Sequence, residues 1–142
     1  MDLQPEPPDF DAKVRKLGAK ALAKLERAEI NEPPPLWRPF IPALRRAYAD
    51  ICAYTCVRIP LVVGSAGVDH LLPKSRRPEL AYEWSNYRLA CGKMNARKND
   101  LESVLDPFEI EDGWFALEFF GHQVRPAKGL HEPARGRVVE TI

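Results

Sequence analysis

Along the first part of the chain, apolar side chains recur at three- and four-residue spacing: Phe10, Val14, Leu17, Ala21, Leu25 and Ala28. That period predicts a helix over 10–30, with Lys13, Lys16, Lys20 and Lys24 on other faces. Asp9 or Asp11 supplies a cap, and Asn31-Glu32 followed by Pro33, Pro34 and Pro35 ends it. A second helix is expected over 41–51, with Pro42 in its first turn and Leu44, Ala47, Tyr48 and Ile51 facing inward. Past Cys56 the period shortens. The β-branched run Val57 to Val63 predicts a strand, 64–67 a turn, and 68–72 a second extended piece stopped by Pro73. A helical turn over 79–84, a strand over 87–90 and a short helix over 92–98 follow, the last ending near Asn99 and Asp100. The runs 108–110 and 114–120 predict a hairpin around Asp112-Gly113, and the polar, basic residues from Gln123 onward predict a loop or tail.

These elements divide the chain into a helical N-terminal extension (1–50), a core with its following hairpin (51–121) and an irregular tail (122–142). The expected class is α+β. A length of 142 residues suits one domain, and neither a repeat nor a second domain is evident. Fourteen prolines favour short elements joined by stiff turns. The first ten residues are acidic and proline-rich, unlike a secretion signal, and no apolar run approaches the length of about 20 residues that spans a bilayer. Three cysteines cannot all pair within the chain, so the expectation is a cytoplasmic protein without a membrane partner.

A net charge of +1 says little, but its distribution says more. Between Lys74 and Lys98 stand Lys74, Arg76, Arg77, Arg88, Lys93, Arg97 and Lys98 against only Glu79 and Glu83. Within and beside this window lie Asp69-His70, Pro73, Asn86 with Leu89, and Asn95 with Lys98. In that order and spacing they resemble the HNH nuclease motif, over about a third of the chain.

The resemblance implies a ββα-metal core, a two-stranded ribbon followed by a helix, flanked here by the helical extension and the C-terminal β-hairpin. It implies a metal-dependent endonuclease that hydrolyses phosphodiester bonds, with DNA favoured and RNA left open, by nicking or double-strand cutting. Asp69 and Asn95 would be the metal ligands, hard oxygen donors of the kind Mg²⁺ or Mn²⁺ prefers. His70 would be the general base, its reference pKa near 6.5 leaving it able to accept a proton at neutral pH. Asn86 would tie the hairpin and orient His70. Lys98, one turn after Asn95, would contact phosphate or neutralise the leaving group. Lys74, Arg76, Arg77, Arg97 and Lys98 make up the expected nucleic-acid surface.

Cys52, Cys56 and Cys91, with Met94, stand where related proteins carry two zinc knuckles. The first pair is one residue too widely spaced, and a thioether is a poor zinc ligand, so these residues are read as core and a structural zinc is not expected. Tyr82, Trp84 and Tyr87 flank the site and are read as packing rather than as a base-stacking platform. The phrases AYEWSNYRLAC and VLDPFEI also resemble a bacterial HNH subfamily with some relatives in anti-phage defence. That likeness keeps two alternatives open: an effector subunit silent without an ATPase or sensor partner, docked through the apolar stripe of the first helix, and a nucleic-acid-binding module whose catalytic centre has decayed.

Overall fold

The computed structural model describes residues 1–62 and 64–142, which separate into two compact units, Met1–Leu101 and Glu102–Ile142. Helices and strands both occur, so the class is α+β.

In the first unit, a π-helical turn, Asp11–Arg15, runs into α1, Lys16–Glu26. The wider turn changes the phase of the stripe. Phe10, Val14, Gly18 and Ala21 are buried, whereas Leu17 and Ala28 are exposed. Asp9 and Asp11 do not cap the helix; they pair instead with Lys13, Arg15 and Lys16. The helix also stops before the prolines. Ala28 turns left-handed (φ 56°), and its N–H and that of Glu29 bond back to Leu25 and Lys24.

The 3-10 turn Arg38–Phe40 leads into α2, Ile41–Ala47, which closes in the same way through Ala49 and Asp50. The predicted continuation to Ile51 ends at this left-handed stop. The run from Val57 is not a strand: its ladder pairing is a single bridge between Arg58 and Ile51, and Val57, Leu61 and Val62 are exposed. β-branching favours extended backbone but supplies no partner to pair with. Val63, the last residue of that prediction, lies outside the described residues.

The centre of the unit is an antiparallel pair, β1 (Ala66–His70) and β2 (Tyr87–Cys91), in which Val68 faces Leu89, Asp69 faces Arg88 and His70 faces Tyr87. It leads directly into α3, Gly92–Lys98. Alternation gives the pair two different faces. Val68, His70, Tyr87 and Leu89 share one face. There Tyr87 and Trp84 pack edge-on against Phe10, with ring centroids 5.7 and 5.4 Å away. Gly67, Asp69, Arg88 and Ala90 share the other, where Lys98 of α3 reaches Asp69. Both faces are therefore covered, which explains the continuous burial of β2 from Tyr87 to Ala90. Tyr82, Trp84 and Tyr87 are buried packing residues. The apolar stripe of the first helix is largely spent inside its own unit, which argues against that helix as a docking element.

The second unit corrects two expectations. The hairpin joins β3 (Phe115–Glu118) to β4 (Gln123–Pro126), so Asp112-Gly113 is a turn that precedes it. The connection is held instead by Glu118, whose carboxylate accepts the N–H groups of Phe120 and Gly121. The residues from Gln123 onward are not an irregular tail, since they form β4 and α4, Ala134–Thr141. Thr141 anchors that helix by accepting the Leu105 N–H at 3.0 Å.

Among the described residues no helix is long and apolar enough to cross a membrane.

Candidate active site

The loop from 71 to 86 between β1 and β2 is organised by Asn86. Its amide oxygen accepts the Leu72 N–H at 2.9 Å, and its nitrogen donates to the carbonyls of Leu72 (3.0 Å) and Leu80 (3.1 Å). Asn86 also accepts the Leu71 N–H through its backbone carbonyl. Every polar group of this buried amide is used, which closes the loop over the end of β1.

That closure sets the Ala81 carbonyl opposite His70, 3.0 Å from Nε2. A carbonyl only accepts, so Nε2 carries the proton and Nδ1 keeps the lone pair. The Tyr87 hydroxyl donates to the same carbonyl at 2.8 Å. Trp37 and Tyr87 stand edge-on to the imidazole, at 4.5 and 5.2 Å between centroids. His70 is 7% exposed, and burial pushes its pKa down to about 4. The Ala81 carbonyl pulls it upward, and the charges of Lys74 and Lys98 add to the lowering. The imidazole is therefore neutral at pH 7.

On the other face, Asp69 is 3% exposed. Its Oδ2 accepts a short hydrogen bond from the Tyr54 hydroxyl. Lys98 Nζ lies 3.4 Å from both carboxylate oxygens and donates to the His70 carbonyl at 2.7 Å. Burial pushes the Asp69 carboxyl above its ordinary value, against the pull of Tyr54, Lys98 and Arg88. Desolvation outweighs the attraction of two neighbouring cations.

Asn95 is half-buried on α3, three residues before Lys98, and its side chain lies against Gly67, two residues before Asp69 on the same strand face. Asp69 and Asn95 therefore share the α3 side of the hairpin. Gly92 lets the helix start there: its N–H bonds to the Ser65 carbonyl at 2.8 Å, and a Cβ would collide with Ser65 Oγ.

Lys98 needs correction. It is buried and engaged with Asp69 and His70 rather than presented to phosphate, because the helical face it shares with Asn95 packs on the hairpin. Arg88 is also buried, donating to the carbonyls of Ser85 and Tyr87. Of the expected nucleic-acid surface, Arg76, Arg77 and Arg97 are exposed and Lys74 is half-buried. Lys74 pairs with Glu32, Arg76 with Asp100 and Arg77 with Glu79.

Tyr54, Arg88 and Trp37 complete the surroundings; sequence reasoning missed Tyr54 and Trp37 and counted Arg88 only within the basic excess. Tyr54 sits inside the Cys52–Cys56 segment and meets Asp69 only through tertiary folding. Of the cysteines, Cys52 is buried, Cys91 half-buried and Cys56 exposed. The Cys52 sulfur accepts the Cys91 N–H at 3.4 Å. Burial pushes the Cys52 thiol up, but bonds from Thr55 and from the N–H groups of Cys91, Thr55 and Tyr54 bring it below its ordinary value.

Among the described residues, no group of three or more His, Cys, Asp or Glu side chains is gathered to hold a metal ion. A cation at Asp69 therefore depends on oxygen donors outside that set, an amide such as Asn95, with carbonyls, water or substrate. No family model and no curated protein matches the chain, so its function is argued from these residues.

Proposed function

We propose that the chain is an HNH-type endonuclease that hydrolyses phosphodiester bonds, DNA being the favoured substrate. The observation that carries this reading is the fixed tautomer of His70. Asn86 shapes a loop whose Ala81 carbonyl accepts a hydrogen bond from Nε2–H, which leaves Nδ1 as a base directly after Asp69 in the strand. The order β1, β2, α3 supports a ββα core, since it puts Asp69 and Asn95 on one side of a hairpin whose end carries His70.

The chemistry follows from these groups. His70 Nδ1 accepts a proton from water as the water oxygen forms a bond to phosphorus and the opposite P–O bond breaks. A phosphodiester arriving nearby brings negative charge that raises the basicity of His70 from its buried value. Asp69 and Asn95 would hold the divalent ion, Mg²⁺ or Mn²⁺, whose chemistry is to stabilise charge on the phosphoryl and leaving oxygens. Their hard oxygen donors fit such an ion.

The test is incubation with plasmid, linear DNA and RNA across Mg²⁺, Mn²⁺, Ni²⁺ and Zn²⁺, with EDTA as control. His70→Ala should lose roughly 10²–10⁴-fold in rate while still binding DNA. Cutting at the wild-type rate by that variant would remove the mechanism.

A partner-dependent effector is the second reading, favoured by the hairpin tip of the second unit, where Phe119 is 77% and Phe120 100% exposed. Such apolar exposure suits a protein interface. Robust cleavage by the isolated chain, unaffected by serine at both positions, would remove it.

A further inference from the structure

We infer that the Lys98 ammonium is the resident counter-cation of Asp69, so that a divalent ion binds there only by displacing it. This rests on reading Asp69 as a metal ligand. The geometry is that of a cation cradled by oxygen. Nζ is 2.7 Å from the His70 carbonyl oxygen and 3.4 Å from each Asp69 oxygen, with the Lys98 and Asp69 side chains 4% and 3% exposed. The lysine stem reaches this point from the last turn of α3, three residues beyond Asn95, so the ammonium occupies the side of Asp69 that α3 covers.

Charge makes the two occupants exclusive. With Lys98 in place, the single negative charge of Asp69 is already matched, and buried Arg88 faces it across the ladder. A dication added beside both would crowd three cations around one carboxylate, in a poorly hydrated pocket where their repulsion is only weakly screened. Withdrawal of Lys98 toward the exposed end of α3 rehydrates the ammonium and frees Oδ1 of Asp69, while Oδ2 keeps its hydrogen bond from the Tyr54 hydroxyl. The protein therefore carries a lock on its own metal site, set by a flexible side chain rather than by a moving loop.

Binding of Mn²⁺, followed by calorimetry and by the free-ion electron paramagnetic resonance signal, tests this without reference to cleavage. Lys98→Met removes the ammonium, and Lys98→Gln removes the charge while keeping a donor for the His70 carbonyl. Both should bind Mn²⁺ at least about tenfold more tightly than wild type. Asp69→Asn should bind it far more weakly. Circular dichroism checks the fold, and the glutamine variant carries the test if the methionine variant does not fold. Equal or weaker affinity in the charge-free variants, with Asp69→Asn alone losing the ion, overturns the counter-cation while leaving Asp69 as a ligand. No Mn²⁺ binding by any of these proteins overturns both.

Discussion

Asn86 and His70 show how much one side chain decides here. Asn86 serves Leu72 and Leu80 with three hydrogen bonds from a buried position, so Asn86→Ala leaves three backbone groups without it. The expected loss is about 3 kcal/mol, read as a lower urea midpoint. An unchanged midpoint would mean that the loop is held by something else.

His70 makes stability depend on pH. Its folded-state pKa of about 4 lies below the ordinary 6.5, so between those values the unfolded chain binds a proton that the folded protein refuses. Stability should rise with pH across that window, by up to roughly 3 kcal/mol. Asp69 acts in the opposite sense, since its raised value favours the folded state as pH falls. His70→Gln removes only the histidine part. Urea denaturation between pH 4.5 and 6.5 should give that variant a shallower rise than wild type, and equal slopes would contradict the burial argument.

Elements were legible where local pattern and tertiary partner agreed. The strand at Tyr87 and the helix at Gly92 lie as expected, because apolar burial, a following glycine and a polar stop at Asn99 (φ 46°) all act within a few residues. The first helix was legible as a helix but not in phase, since a π-turn has no signature in hydrophobic spacing. Its inward position is Gly18 rather than Leu17, and a Cβ at Gly18 would collide with the Tyr82 ring. Gly18→Ala should therefore destabilise by about 1–3 kcal/mol although alanine is the better helix former. A rise in thermal midpoint would show that Tyr82 moves freely. The C-terminal hairpin was misassigned because Asp112-Gly113 carries the commonest hairpin dipeptide, whereas the actual connection is closed by the Glu118 side chain.

For the whole molecule, net charge is close to neutral, so affinity for nucleic acid would depend on which cations lie at the surface. Arg76, Arg77 and Arg97 are exposed, whereas Lys98 and Arg88 are not. Replacing the three exposed arginines with alanine should weaken binding without sequence preference. The salt dependence should flatten by about one unit of slope for each phosphate that is no longer neutralised. Lys98→Gln should leave that slope alone. Fluorescence anisotropy across salt concentrations decides both, and an unchanged slope in the arginine variant would return these residues to a solvated surface.

Local spacing by itself determined that a strand, a loop, a strand and a short helix would carry Asp69, His70, Asn86 and Asn95 in order. Periodicity and stop signals act over a few residues and need no knowledge of the rest of the chain. Which side of the hairpin each residue serves was decided only by folding. Alternation in β1 sends His70 into an aromatic face built from Trp37 and Tyr87, and Asp69 toward α3, where Tyr54 and Lys98 converge on it. Those partners come from 15 to 33 positions away in the chain. Burial then reset the chemistry, lowering the pKa of His70 and turning Lys98 from an expected surface cation into an internal one, because the desolvation of a charge depends on what packs around it.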